Sequence, residues 1–225
     1  MSGKYRHEWK HIISYADYLA IKSRMNAVAI PDPHAKDGKY LIRSLYMDNM
    51  NDKALREKVD GVNMREKFRI RYYNNDTSLI HLEKKSKTNG LGTKFSALLS
   101  HEEAQKIVDL DLDWMMDSER PLVKELYCKM ISPGLRAKTI VDYTREPFIY
   151  APGNVRVTLD YNIRTGLNCT DFLNPDCVTV PAGDAPIILE VKWDEFLPSV
   201  IRDAVQVPNR RVSAFSKYAQ CRVYG

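Results

Sequence analysis

The stretch Lys67-Phe68-Arg69-Ile70-Arg71-Tyr72-Tyr73-Asn74-Asn75-Asp76, with the return from Ser78 to Lys87, decides how this chain folds. Side chains two apart in a strand point to one face, so Lys67, Arg69 and Arg71 share a face while Phe68, Ile70 and Tyr72 share the other. Asn74-Asn75-Asp76 is a turn signal that joins antiparallel strands. In the returning strand Glu83, Lys85 and Lys87 again take alternate positions, so the hairpin brings two basic faces together. Two cations ~4 Å apart repel by about 4 kcal/mol at an effective dielectric near 20. Glu83 relieves part of that, and a bound polyanion would relieve the rest.

The alternation recurs outward from this hairpin. Arg6-x-Glu8-x-Lys10, Arg145, Arg156-x-x-x-Asp160 and Glu190-x-Lys192 each aim charge one way, with Val155, Val157 and Leu159 or Leu189, Val191 and Trp193 between the charges. An open antiparallel sheet with one wet face fits this pattern, and a barrel with a polar lumen fits it as well. Strands are predicted over residues 5–13, 40–48, 66–73, 78–87, 138–145, 154–165 and 187–193. Helices are predicted over 14–29, where Tyr15, Tyr18, Leu19 and Met25 lie near helical spacing, over 121–131 and over 198–207. Ser100 and Glu103 form a capping pattern that leads residues 104–108 into a helix. Asn89-Gly90-Leu91-Gly92 and residues 174–186 read as loops, and 215–223 as a short final element. With no internal repeat or low-complexity linker, residues 1–225 read as a single domain.

At 225 residues, 44% hydrophobic and 28% charged, the composition is that of a folded globular chain. No apolar run approaches the ~18 residues that span a membrane, and the first residues lack a signal peptide's apolar core, so a cytoplasmic domain is expected. Cys128, Cys169, Cys177 and Cys221 show neither a CxxC pair nor zinc-ligand spacing, and the five histidines form no ligand pattern. Reduced thiols and structural histidines follow. No glycine-rich phosphate loop and no nucleophile elbow is present. Phosphate would therefore be held by side chains, and the chemistry left open is phosphoryl transfer by positioning and electrostatic stabilisation. A net charge of +5 favours an anionic partner.

Arg69 and Arg71 are the sharpest candidates, since each guanidinium can grip a phosphate by a bidentate fork. Glu8, Glu83, Asp160 and Glu190 each share a strand face with a cation, the composition expected where Mg²⁺ or Mn²⁺ bridges carboxylates and phosphate oxygens. The same carboxylates weigh against nucleic acid, whose backbone they would repel.

The pattern resembles the triphosphate tunnel metalloenzymes, and within them the VTC domain of polyphosphate polymerases. The resembling segments are Arg6-His7-Glu8-Trp9-Lys10, Arg43-Ser44-Leu45-Tyr46-Met47-Asp48, Lys67-Phe68-Arg69-Ile70-Arg71-Tyr72, Leu82-Glu83-Lys84-Lys85, Tyr143-Thr144-Arg145-Glu146, Val155-Arg156-Val157-Thr158-Leu159-Asp160, Leu189-Glu190-Val191-Lys192 and Ser216-Lys217-Tyr218. They run in order over nearly the whole chain. The resemblance implies an α+β fold: a closed antiparallel eight-stranded β-barrel, the triphosphate tunnel, with flanking α-helices. It implies that Lys10, Arg69, Arg71, Lys85, Arg145, Arg156 and Lys217 grip phosphate, with Lys87, Lys94, Lys192 and Ser216 as further contacts. Glu190 would be the metal-binding carboxylate for Mn²⁺ or Mg²⁺, and residues 198–207 the helix near the tunnel mouth. Where the wider superfamily has Glu-x-Glu-x-Lys, this chain has Arg6 first, which is closer to the VTC branch than to the triphosphatases and cyclases. The activity implied is an ATP-binding transferase that moves the γ-phosphate of ATP onto growing polyphosphate, acting without the transmembrane modules that accompany the domain in eukaryotic complexes. An inorganic triphosphatase or polyphosphatase, or a non-catalytic polyphosphate or inositol-phosphate sensor, is the alternative.

Overall fold

A computed structural model describes residues 6–88, 91–184, 186–207 and 213–223. In chain order the elements are β1 (His7–Ile13), α1 (Tyr15–Val28), β2 (Ile30–Pro31), β3 (Tyr40–Asp48), α2 (Lys53–Val59), β4 (Arg65–Tyr73), β5 (Asp76–Thr88), β6 (Leu91–Leu99), α3 (His101–Asp109), α4 (Pro121–Ile131), β7 (Arg136–Tyr150), β8 (Val155–Thr165), β9 (Val180–Pro181), β10 (Ile187–Trp193), α5 (Ser199–Ala204) and α6 (Lys217–Cys221). Eight strands form one antiparallel sheet in the order β1-β10-β8-β7-β3-β4-β5-β6, with β2 added beside β7 and β9 beside β8.

The hairpin stands as the sequence predicts. Arg69 pairs with Glu83 and Lys67 with Lys85, and Tyr73 meets Asp76 across a two-residue loop. Asn74 and Asn75 both have positive φ, 52° and 58°, as a type I′ turn requires. The capping box is also present, with Ser100 accepting from the Glu103 N–H and Glu103 from the Ser100 N–H.

Two expectations are corrected. The sheet is an open, strongly curled half-barrel and not a closed barrel, because β1 and β6 are its two ends and do not pair among the described residues. Register shifts on β3, β4 and β7, between Tyr46 and Met47, Arg71 and Tyr73, and Asp142 and Thr144, bend neighbouring strands. They supply the curl. The Lys10 carbonyl on β1 is taken by the Ser213 N–H at 2.7 Å, so a backbone group that closure would use already has a partner. On α1 the buried residues are Tyr18, Ile21 and Met25, whereas Tyr15 and Leu19 face outward. Four elements absent from the sequence reading also appear: β2 beside β7, β6, which begins in the glycine-containing stretch whose residues 89 and 90 lie outside the described residues, the short α2, and the pairing of Val180–Pro181 with β8.

The curl has an apolar outside and a polar inside. Phe68, Ile70, Tyr72 and Leu82 pack outward under α3 and α4, against Ala104, Ile107, Val123 and Leu126. Val157, Leu159, Leu189 and Val191 pack outward under α1 and α5, against Ile21, Met25 and Ile201. A third cluster joins Ile42, Tyr46, Tyr143, Ile163 and Ile188 to Tyr218 and Cys221 of α6. Ile188 lies two residues from Glu190 and Ile42 two from Ser44, on the inward faces. Apolar packing and α6 thus fill one end of the lumen and leave the remainder polar.

Asn75→Val places a β-branched residue in the left-handed region, which costs about 1–2 kcal/mol for an L-residue. The urea midpoint of unfolding should fall accordingly, and an unchanged midpoint would contradict this turn.

Candidate functional site

The inward face encloses a cavity of about 850 Å³. It is lined by Glu8 and Lys10 of β1, Arg69 and Arg71 of β4, Lys85 and Lys87 of β5, Lys94 of β6, Arg145 of β7, Arg156 of β8, Glu190 and Lys192 of β10, and Ser216 and Lys217 at the start of α6. Residues scattered from position 8 to 217 therefore reach one lumen, because the alternation on each strand puts them on the concave side.

Glu83 and Asp160 occupy a different place, behind the cations. Glu83, 2% exposed, accepts from Arg69 Nε at 2.7 Å and Nη2 at 2.6 Å, pairs with Lys94, and lies 3.9 Å from Arg71 Nη1. Asp160, fully buried, takes a two-point contact from Arg145 Nε and Nη2, both 2.7 Å, and another from Lys217 Nζ at 2.6 Å. Burial alone would push both carboxyls up. The guanidiniums outweigh it, so Arg69, Arg71 and Lys94 hold Glu83 well below the usual carboxylate range, and Arg145 and Lys217 hold Asp160 low. Both are fixed anions that aim cations into the lumen.

Other groups finish the aiming. Arg71 Nε donates to Ser44 Oγ at 2.9 Å and its Nη2 to Tyr143 Oη at 2.9 Å. Arg69 Nη1 donates to Tyr46 Oη at 2.7 Å. Arg156 Nη2 reaches Asp32 at 3.2 Å. The Lys217 ammonium also sits over the Tyr143 ring, 4.6 Å from its centroid. Each guanidinium is thus held from behind with N–H groups left over for a ligand.

At the β1–β10 edge Lys10 pairs across with Glu190 and Glu8 with Lys192. Lys10 Nζ is 2.6 Å from Glu8 and 3.9 Å from Glu190, and Lys192 contacts Glu190. Glu190 is buried, which would raise its pKa, yet Lys192, Lys10 and Arg145 draw it well below the usual range. Glu8 and Glu190 offer hard oxygens to one region of the lumen, a donor set that suits Mg²⁺ or Mn²⁺ held by one or two carboxylates plus phosphate oxygens. Among the described residues no group of three His, Cys, Asp or Glu could hold a metal by itself, so phosphate would have to complete any such site.

Positive charge remains in excess. Fourteen lysines and arginines line the cavity against the carboxylates of Glu8, Glu66 and Glu190. Lys67 and Lys85 face each other across β4 and β5. The Lys192 ammonium, and burial after it, hold Lys85 well below an ordinary lysine. Burial together with Arg69, Lys10 and Lys58 brings Lys67 down to about 8, against the opposing pull of Tyr46. Lys67, on the basic face read from sequence, lines the cavity too, as do Tyr46, Tyr143, Lys58 and Arg65, which were not singled out. Period two could have found Tyr143, two before Arg145.

The fold is a curled antiparallel sheet wrapped around a cationic lumen. A model of the VTC domain matches residues 5–224, so the chain belongs to the VTC domain family. Among solved structures it is similar to a Bacillus halodurans protein whose name proposes an adenylate cyclase, with TM-score 0.53 and 14% identity over 85% of this chain and 82% of that one. It is also similar to a protein from Pyrococcus horikoshii, at TM-score 0.44 and 14% identity over 89% of this chain and 84% of that one. No curated protein sequence matches it. No helix among the described residues is long and apolar enough to cross a membrane.

Glu83→Gln removes the anion that Arg69 and Arg71 share, and breaking a buried pair costs about 3–5 kcal/mol. A carboxyl depressed in the folded state contributes stability that is complete above its unfolded pKa of about 4.3 and is lost as pH falls below it. Urea unfolding should therefore show the variant less stable at neutral pH and its deficit shrinking in acid. A deficit that stays constant with pH would contradict the charge pairing.

Proposed function

We propose that the chain is a metal-dependent polyphosphate polymerase that transfers the γ-phosphate of ATP to a growing polyphosphate chain inside the lumen. The observation that carries this reading is the cation excess. Lysines and arginines continue from Arg145 and Lys217 beside the α6 plug, through Arg71, Arg69 and Lys67, to Arg65 and Lys87 on the β4–β5 hairpin. Such a line suits a linear polyanion better than one compact phosphate.

Arg69, Arg71, Lys85, Arg145, Arg156, Lys10 and Lys217 would bind and orient the phosphates, with Lys87, Lys94, Lys192 and Ser216 as outer contacts. Their positions are fixed before substrate arrives, so little reorganisation is needed as charge develops on the transferring group. Glu190, with Glu8 beside it, would hold the divalent ion, whose chemistry is to bridge phosphate oxygens and offset that charge. Glu83 and Asp160, named with them from sequence as metal candidates, fit better as the anions that position Arg69, Arg145 and Lys217.

Incubation with ATP and Mn²⁺ followed by gel electrophoresis should show phosphate polymers. ADP with orthophosphate alone would replace the polymerase with a hydrolase, and tight polyphosphate binding without ATP consumption would favour the sensor. Arg71→Ala should weaken tripolyphosphate binding by about tenfold to a hundredfold, the worth of a charge-assisted hydrogen bond of roughly 1.5–3 kcal/mol. Unchanged affinity would remove the lumen as the binding site.

A further inference from the structure

The lumen contains a buried phenol surrounded by cations. Tyr46 of β3 is 3% exposed and lines the cavity, two residues from the Ser44 that orients Arg71. Its hydroxyl accepts from Arg69 Nη1, Lys67 Nζ lies 5.5 Å from its ring centroid, and Tyr218 of α6 stacks on it with centroids 5.0 Å apart. The charged and titratable groups around it are Lys67, Arg69 and Arg71 of β4, Glu83 of β5 behind Arg69, Tyr143 of β7 and Tyr218 of α6, with Lys58 of α2 close to Lys67. Burial would push the phenol up, but Arg69, Lys67 and Arg71 outweigh it and bring it down to about 7, from an ordinary value near 10.

We propose that Tyr46 is the proton-exchanging member of the phosphate site: its phenolate serves as counter-charge to Lys67 and Arg69 until a phosphate takes over that role, and Tyr46 then takes a proton from solvent. The neutral hydroxyl has an O–H to donate to a phosphate oxygen, which the phenolate has not. At most one proton is consumed per binding event at this residue, and no other bond changes. The sign follows from linkage. A group whose pKa rises on binding makes affinity highest below its free value and weaker as pH climbs from about 7 toward the bound value, by up to about tenfold per pH unit. This inference rests on the reading of the lumen as a phosphate site.

The test is a calorimetric titration of the full chain with tripolyphosphate, without metal, at slightly alkaline pH in two buffers of different ionisation enthalpy. It compares the wild type with Tyr46→Phe. The wild type should take up more protons than Y46F, and K67M more than K67M/Y46F, a pair from which the ammonium that Tyr46 influences is absent; in each pair the affinity of the protein with Tyr46 should fall more steeply with pH. Equal proton uptake would overturn the inference. A second measurement uses the wild type alone: tripolyphosphate should diminish the tyrosinate band in the near ultraviolet. Binding that leaves that band unchanged overturns the role of Tyr46 and leaves the phosphate site standing. Failure of tripolyphosphate to bind either protein would sink the phosphate site, and Tyr46 with it.

Discussion

Crowding like charges on a concave surface is the constraint around which this molecule is built. A curled sheet turns one face inward, and the inward side chains draw together as the curvature grows. Here that face is cationic, so the lysines and arginines deep in the lumen, Lys67, Arg69, Arg71, Lys85 and Arg145, lose water and gain repelling neighbours. Glu83 and Asp160 make the arrangement tenable. Glu83 ties β4, β5 and β6 by holding Arg69 and Lys94, and Asp160 ties β7, β8 and α6 by holding Arg145 and Lys217. Two buried carboxylates thus shape the lumen without lining it. The apolar packing that favours the curl lies on the opposite face, under α1 and α5 on one side and α3 and α4 on the other.

This division of labour explains what could be read from the amino-acid order. Strands whose charges alternate with aliphatic residues announced both their conformation and their inward face, so Arg69, Arg71, Lys85, Arg145, Arg156 and Glu190 were legible as a set. The Asn74-Asn75 turn and the Ser100–Glu103 cap were legible because each is a local interaction. Strand β6 was not, since Lys94 is its only charged residue and no charge pattern sets it apart from a loop. Helix α2 was not, since it has no buried residue and hence no apolar stripe.

The depth of a side chain was beyond reach as well. Glu83 and Glu190 both read as carboxylates beside lysines, and only curvature and register put one behind the wall and the other at it. Tyr46 and Tyr143 read as ordinary strand aromatics, because nothing local shows that cations surround their hydroxyls. That β1 and β6, the two ends of the sheet order, do not pair among the described residues was equally invisible, and there the expectation of closure failed.

A tube that closes on itself accepts a polymer only by its tip, and each added unit must then be threaded past the walls. With β1 and β6 apart among the described residues, no strand ladder seals the wall between them, and the slot there is narrowed where Ser213 takes the Lys10 carbonyl of β1. On the proposed reading, a long flexible anion would enter side-on through that slot. The apolar packing and α6 that fill one end make this slot and the opposite mouth the remaining ways out. In polymer terms such a half-barrel would be a clasp and not a needle's eye, and loading of the proposed polyphosphate would depend on how much of the strand is nearby and little on how many free tips it has.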